Sequence, residues 1–335
     1  MKILKKKIDI EKFHFAPFNH YFQEYSGAIL DIETTGLFKH DAIILVGLII
    51  IEKSEPKYSI QLFAENTDDE KKILEKTSKI LNDLDYVITY NGASFDMPFI
   101  VNKAKKYKVK INTTLYNFDL FNLIRSCSPI REFLPNLKQK TIETYLGIND
   151  CRQDQISGKQ SADNYTKYLK TKEVVLENEI LLHNYDDILQ LYRCLNIIKK
   201  SDIHQYIYKY GFPTARYTVH NIDIHKKTLI AQGEINSIDF QIYDDEYKLK
   251  FRVKDNKFKL IQELTQLTNL MQDATKIDKI LFLDLNEYYF NIDEYNDKNL
   301  YNGCLLLQSD EEVNYATANK LTKNIIQFII DRYNI

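Results

Sequence analysis

Residues 29–38, ILDIETTGLF, set two carboxylates, Asp31 and Glu33, directly behind an apolar run. Successive strand residues point to opposite faces of a sheet, so acids two apart project side by side from one face. Burying like charges together is costly unless a cation or hydrogen-bond donors compensate. If the strand end is buried, the pair implies a partner; the two acids can share a metal ion, and hard oxygen ligands favour Mg²⁺ or Mn²⁺ over zinc. If the strand emerges into water there, no partner is needed. The rest of the chain has to decide between the two.

Working outward, residues 27–63 read as three strands, GAILDIE, AIILVGLIII and KYSIQLFA, rich in β-branched residues and joined by short turns. Short connections predict an antiparallel meander. TDDEKKILEKTSKILNDL follows, with acids behind a candidate Thr67 cap and Ile73, Ile80, Leu81 and Leu84 at helical spacing. DYVITYNG predicts a fourth strand, MPFIVNKAKKY a helix and NFDL the start of a fifth strand. Helices dominate from about 120 to 200, among them PNLKQKTIETYLG, SADNYTKYLK and the long KEVVLENEILLHNYDDILQLYRCLNIIKK. The order predicts an α/β fold, a mixed sheet of three antiparallel strands and then alternating strands and helices, flanked by helices.

After about residue 205 the pattern changes. IDFQIYDDEYKLKFRVKDNKFKLIQ alternates apolar and polar residues, with DDE and KDNK as hairpin turns. KILFLDLNEYYFNI suggests further strands and ANKLTKNIIQFIIDRY a closing helix. At 335 residues, against about 150 per domain, two domains are expected: 1–204, and a smaller α+β domain over 205–335 of unknown role.

Two further motifs carry acids. In TYNGASFDMPFI, Asn91 and Gly92 form a turn after a strand, and Asp96 precedes an apolar helix, where Asp also serves as an ordinary N-cap. In LLHNYDDILQLYR, His183 and Asp187 lie four apart and so share a helix face. Such a pair suits a base and a ligand, although surface pairs of this kind are common. Tyr185 and Asp186 fall on other faces, and Asp186 reads as a solvated acid.

Taken in order, Asp31-x-Glu33, Asn91-x-x-x-Phe95-Asp96 and His183-x-x-x-Asp187 resemble the three motifs of the DEDD 3′–5′ exonuclease superfamily, which has a ribonuclease H-like fold. The context DIETTGL, YNGASFDMPF, DLFNLIR, KQKTIETYLGI, RQDQISGKQSADNYTKYL and HNYDDILQL is similar to the YprB ribonuclease H-like family over about residues 25–200. The resemblance implies that Asp31, Glu33 and Asp187 hold one divalent ion and Asp31 and Asp96 a second. Such a pair, roughly 3.5–4 Å apart, clamps a phosphodiester displacement. It also implies that His183 orients or deprotonates the attacking water. One departure stands out. Better-known subclasses carry a histidine five residues before the last Asp or a tyrosine four before it, and here His183 takes the tyrosine position.

The expected activity is metal-dependent phosphodiester hydrolysis of DNA or RNA, foremost 3′–5′ exonucleolytic. A structure-selective endonuclease and a non-catalytic binding or scaffold module are the alternatives. The expected partner is nucleic acid, single-stranded or at 3′ ends. Candidate substrate contacts are Thr34, Asn91, Phe95, Lys103, Lys105 and Lys106. The lysines come from KAKKYKVK, which also reads as a solvated helix end. In YKLKFRV, Lys248, Lys250, Arg252 and Lys254 form a basic stripe on one sheet face, either a solvent face or a guide for substrate. A net charge of −2 confines any polyanion site to a local patch.

No G-x-x-x-x-G-K-[ST] loop is present, so a nucleotide cofactor is not expected. The basic start MKILKKKIDIEKF lacks the apolar region of an export signal. Cys127, Cys151, Cys194 and Cys304 form no C-x-x-C pair. The longest apolar run, AIILVGLIII, is about half of the ~20 residues a membrane span needs. A cytoplasmic protein without membrane association is the expectation.

Overall fold

The run Ile43–Ile51 is buried at every residue, as a strand must be when both faces of its sheet are covered. It lies within a six-stranded sheet of β1 (Lys2–Lys7), β2 (Gly27–Thr34), β3 (Ile43–Glu52), β4 (Glu55–Phe63), β5 (Tyr86–Thr89) and β6 (Tyr116–Asp119), in spatial order β1-β4-β3-β2-β5-β6. The computed structural model describes residues 1–112, 114–272, 275–284, 300–301 and 304–335. Contacts divide the chain into two units, Met1–Ile203 and His204–Ile335.

In the first unit, β1 pairs with β4, β4 with β3 and β3 with β2, all antiparallel, while β2, β5 and β6 run parallel. The helices are α1 (Ala16–Phe22), α2 (Glu70–Asn82), α3 (Asp96–Tyr107), α4 (Leu120–Cys127), α5 (Gln139–Leu146), α6 (Gly158–Thr171) and α7 (Val174–Arg193). α2 turns Ile73, Leu74 and Leu81 inward, and α7 packs across β2 and β3. The α/β architecture expected from the sequence is the one observed. Local differences remain. The basic N-terminal run is edge strand β1, because its main chain completes the open side of β4. In place of a Thr67 cap, Asn66 caps a 3-10 turn, Thr67–Asp69, that leads into α2, its side chain accepting from Asp68 N at 3.0 Å.

The second unit holds a sheet of β7 (Phe212–Pro213), β8 (Tyr217–His225), β9 (Thr228–Ile235), β10 (Phe240–Asp244), β11 (Leu249–Lys254) and β12 (Lys257–Glu263), in order β10-β11-β12-β9-β8-β7. A further sheet joins β13 (Thr265–Gln272), β14 (Thr275–Asp284), β15 (Leu300–Tyr301), β16 (Cys304–Ser309) and β17 (Glu312–Val313). The helix α8 (Ile203–Tyr210) opens this half of the chain and α9 (Tyr315–Tyr333) is its last element. Along β11 the alternation holds: Leu249, Phe251 and Val253 are buried, and Lys250, Arg252 and Lys254 are exposed. The expected strand KILFLDLNEYYFNI is observed as far as Asp284; its remainder lies outside the described residues.

Candidate active site

Asp31, Gly47 and Gln61 are direct neighbours across β2, β3 and β4. Glycine at the middle position leaves a gap, and the Asn184 side chain from α7 fills it. A Cβ on Gly47 would stand 2.1 Å from Asn184 Oδ1. From that seat Asn184 Nδ2 donates to Asp31 Oδ2 at 2.9 Å, and its Oδ1 accepts from Gln61 Nε2 at 3.0 Å. Gln61 also donates to the carbonyl of Leu181 at 2.8 Å. One sheet row and one helix therefore fix the rotamer of Asp31.

Glu33, on the same face of β2, is buried. Asp96 is the first residue of α3 and is buried too; its Oδ1 accepts from the backbone N–H of Ile32, between the two strand acids, at 3.2 Å. Asp187 is half-buried on α7, one turn beyond His183. Glu33, His183 and Asp187 offer ligand atoms within 4.8 Å of one another.

The electrostatics follow from this crowding. Burial pushes the Asp31 carboxyl well above the usual carboxylate range, and Asp187, Asp96 and Glu33 push the same way, against the Asn184 bond. Burial raises Glu33 to about 7, with His183 opposing and Asp187 adding. Burial also raises Asp96 to about 7, although backbone N–H groups at Asp96 and Ile32 oppose it. Among the described residues no lysine or arginine pairs with Asp31, Glu33 or Asp96. A cluster that resists ionisation for want of a counter-charge fits a bound cation.

A second group of residues organises the site from the loop between α5 and α6, and sequence reading assigned it no role. Arg152 grips Glu143 through two nitrogens at 2.7 and 2.8 Å, and reaches Asp154 at 2.9 Å and Asp187 Oδ1 at 2.5 Å. Asp154 Oδ2 lies 2.6 Å from His183 Nδ1. Burial pushes the Asp154 carboxyl up, but His183 and Arg152 outweigh it and hold it below its ordinary value. Asp186 is not the solvated acid expected from its position. It is 4% exposed, and its Oδ2 accepts the backbone N–H groups of Gln153 and Asp154 at 2.6 and 2.7 Å. Helix periodicity pointed Asp186 away from Asp187 correctly, but what lies there is this loop.

Asp119 ends β6, caps α4 through the N–H groups of Phe121 and Asn122, and accepts those of Asn91 and Ala93 at 2.9 and 3.0 Å. Burial raises its carboxyl, with these four backbone donors opposing. It thereby holds the turn at Asn91, which adopts φ +61°, five residues ahead of Asp96. Its N-cap position at a strand end was the available signal.

The candidate substrate residues separate. Thr34 is buried and donates to the Gly36 carbonyl at 2.6 Å. Phe95 packs on Phe99, with ring centroids 5.5 Å apart, and borders a cavity of about 170 Å³ with Leu37, Lys39 and Pro98. Lys105 and Lys106 are exposed on α3. Lys103 departs from its expected place in a groove: it is 2% exposed. Its ammonium lies 3.5 Å from Glu70 and donates to the His40 carbonyl at 3.2 Å. A cation already neutralised in the core has no free charge for phosphate. Tyr185 faces away, under the Lys6 ammonium at 4.6 Å from its ring centroid.

The sequence model of the RNase H superfamily matches residues 28–199, which carry all of these groups, and the chain belongs to that superfamily. Its mixed sheet with flanking helices is the RNase H-like fold. No curated protein matches the chain. Among solved structures, that of the family B DNA polymerase from the hyperthermophilic archaeon Pyrobaculum calidifontis is similar at a TM-score of 0.42 and 15% identity, over 52% of this chain and 24% of the polymerase chain. The chain thus spans about a quarter of that polymerase's length. No described helix is long and apolar enough to cross a membrane.

Proposed function

We propose that the protein is a metal-dependent nuclease that hydrolyses phosphodiester bonds of DNA or RNA, foremost a 3′–5′ exonuclease of the YprB type. The observation that carries this reading is the convergence of Asp31, Glu33, Asp96 and Asp187 from β2, α3 and α7, with the first three lacking a lysine or arginine partner among the described residues. Bound there, two divalent ions, Mg²⁺ or Mn²⁺, would activate a water and stabilise the leaving oxygen. The chain's own residues supply the placement. Asp187, Asp96 and Glu33 all bear electrostatically on Asp31, which supports it as the carboxylate both positions share. Asn184 holds Asp31 in one rotamer, the Ile32 N–H holds Asp96, and Arg152 holds Asp187 by one oxygen and leaves the other free. Fixed ligands of this kind need no reorganisation when charge develops on the phosphate.

The nucleic-acid partner is supported by a second feature. On β11 and β12, Arg252 pairs with Lys259 and Lys254 with Lys257 in register, beside exposed Lys248 and Lys250. Lys250 lies 5.6 Å from the ring centroid of Tyr243, which is exposed. A basic face with an accessible aromatic ring binds phosphate and stacks bases without reading sequence.

The test is degradation of 3′-labelled linear and of circular single-stranded DNA and RNA with Mg²⁺ or Mn²⁺, beside the Asp31→Asn protein. Loss of label from linear strands alone, absent in the variant, supports the exonuclease. Cutting of circles replaces it with an endonuclease. No metal-dependent cleavage of any strand leaves a binding module and overturns the reading.

A further inference from the structure

The resemblance gives His183 the part of a base, but its surroundings are those of a ligand. The residue is 3% exposed. Nδ1 faces Asp154 Oδ2 at 2.6 Å; Arg152 holds that carboxylate through Oδ1 at 2.9 Å, and the backbone N–H of Asp154 donates to Asp186 Oδ2 at 2.7 Å. A carboxylate so held accepts, so a proton belongs on Nδ1, and a cation bound beyond the ring would take the lone pair of Nε2. Nε2 points between Glu33 Oε1 at 3.7 Å and Asp187 Oδ2 at 3.5 Å. Both distances are longer than ordinary hydrogen bonds. The buried nitrogen is thus aimed at the gap between two carboxylates.

Three features of that gap suit a shared ion. Donors bound to one ion at about 2.1 Å stand roughly 3.0–3.4 Å apart, so the observed 3.5 and 3.7 Å from Nε2, in a group whose atoms all lie within 4.8 Å, need only a small contraction around an ion. His183 and Asp187 are one turn apart on α7, the spacing at which two side chains of one helix reach a common metal. An imidazole that ligates a metal through one nitrogen almost always donates the other to a carboxylate or carbonyl, as His183 does to Asp154.

We propose that His183 Nε2 is a ligand at the Glu33–Asp187 position, held in the ligating orientation by Asp154, so that this centre is a mixed nitrogen–oxygen site selecting Mn²⁺ and later transition ions over Mg²⁺. Imidazole adds affinity for transition ions, whereas Mg²⁺ is met best by oxygen and retained water. The inference rests on the metal-dependent reading above. It alters the role of His183 within it, and it makes the four-residue spacing to Asp187 a requirement. Asp154 acts through His183 and is a positioning residue, with Arg152 and Asp186 behind it.

The experiment uses the full chain and Mn²⁺ or Mg²⁺ alone. Pulsed electron paramagnetic resonance of the Mn²⁺-loaded wild type is expected to show coupling to a histidine ¹⁴N, which changes on ¹⁵N-histidine labelling; this needs no variant to fold. By thermal-shift titration, His183→Gln is expected to weaken Mn²⁺ binding about 10- to 100-fold, with Mg²⁺ binding changed less than about threefold. Asp154→Asn, which can still accept from Nδ1–H, should weaken Mn²⁺ by less than His183→Gln does. If Mn²⁺ binds the wild type without nitrogen coupling, or His183→Gln binds both ions as the wild type does while losing cleavage, His183 is the base. The ligand assignment then falls and the nuclease reading stands. If neither ion binds the wild type, both fall.

Discussion

Gly47→Ala isolates the contact on which the orientation of Asp31 depends. Gly47 lies in strand β3 outside the left-handed region, so the backbone itself accepts alanine, and such a change ordinarily gains about 0.4–1 kcal/mol by restricting the unfolded chain. Here the new methyl would lie 2.1 Å from Asn184 Oδ1 and 2.7 Å from its Cγ. Asn184 is fully buried and must turn away, losing its bonds to Gln61 and Asp31. A lost hydrogen bond costs about 1 kcal/mol, and each buried partner left unsatisfied about 1–3. After the entropic gain, a net loss of about 2–3 kcal/mol is expected. For a unit of this size it lowers the Tm by roughly 5–10 °C. The chain has no tryptophan, so urea unfolding is best followed by far-ultraviolet circular dichroism. The decisive comparison is with Asn184→Ala: in that background the clash is gone, and Gly47→Ala should be neutral or slightly stabilising. Equal losses in both backgrounds, additive within about 0.5 kcal/mol, would refute the interlock.

Three further outcomes follow from the same structure. Glu33 has a folded-state pKa of about 7, above its unfolded value, so the folded protein holds the extra proton and metal-free stability falls as pH rises from about 4.5 to 7. The loss is about 3 kcal/mol, flat above pH 7; it is read as wild type minus Glu33→Gln in urea titrations, and a difference that does not fall across that window contradicts it. Asp186→Ala strands the N–H groups of Gln153 and Asp154, costing about 2–4 kcal/mol, and hydrogen exchange at those two amides should accelerate, whereas Asp186→Asn should keep most of the protection. Lys103→Met removes the buried ammonium from Glu70, leaving it Lys106 at 4.0 Å and the donors Tyr107 and Ile43 N–H, and should lose about 2–4 kcal/mol with no change in nucleic-acid affinity or its salt slope by filter binding. A weakened affinity with stability intact would return Lys103 to the groove.

The acids of β2, the turn at Asn91, Asp96 and the His183–Asp187 pair were legible because each lies in a short segment whose period fixes which side chains share a face. β3 was legible as a strand, but not the reason for its glycine, which depends on Asn184 more than a hundred residues away. The loop carrying Arg152 and Asp154 has no period, and its importance arises from side chains of α5 and α7 that meet only in the fold. The same limit misplaced Asp186 and Lys103: helical spacing tells where a side chain points but not what stands there. A lysine among lysines in KAKKYKVK looks solvated until Glu70 is found beneath it.

The clasp made by Asp186 bears on how this site can change over time. It holds main-chain N–H groups, which every residue except proline can donate, so it does not depend on the loop's side chains. Gln153 is exposed at its tip and is free to drift through the rest of the amino-acid alphabet without moving Asp154. Position 186 has no such latitude, since only a side chain of that length with an acceptor oxygen spans the gap. Variation at the rim is thereby uncoupled from the placement of His183, and new contacts to a substrate can be tried at residue 153 while the centre stays as it is.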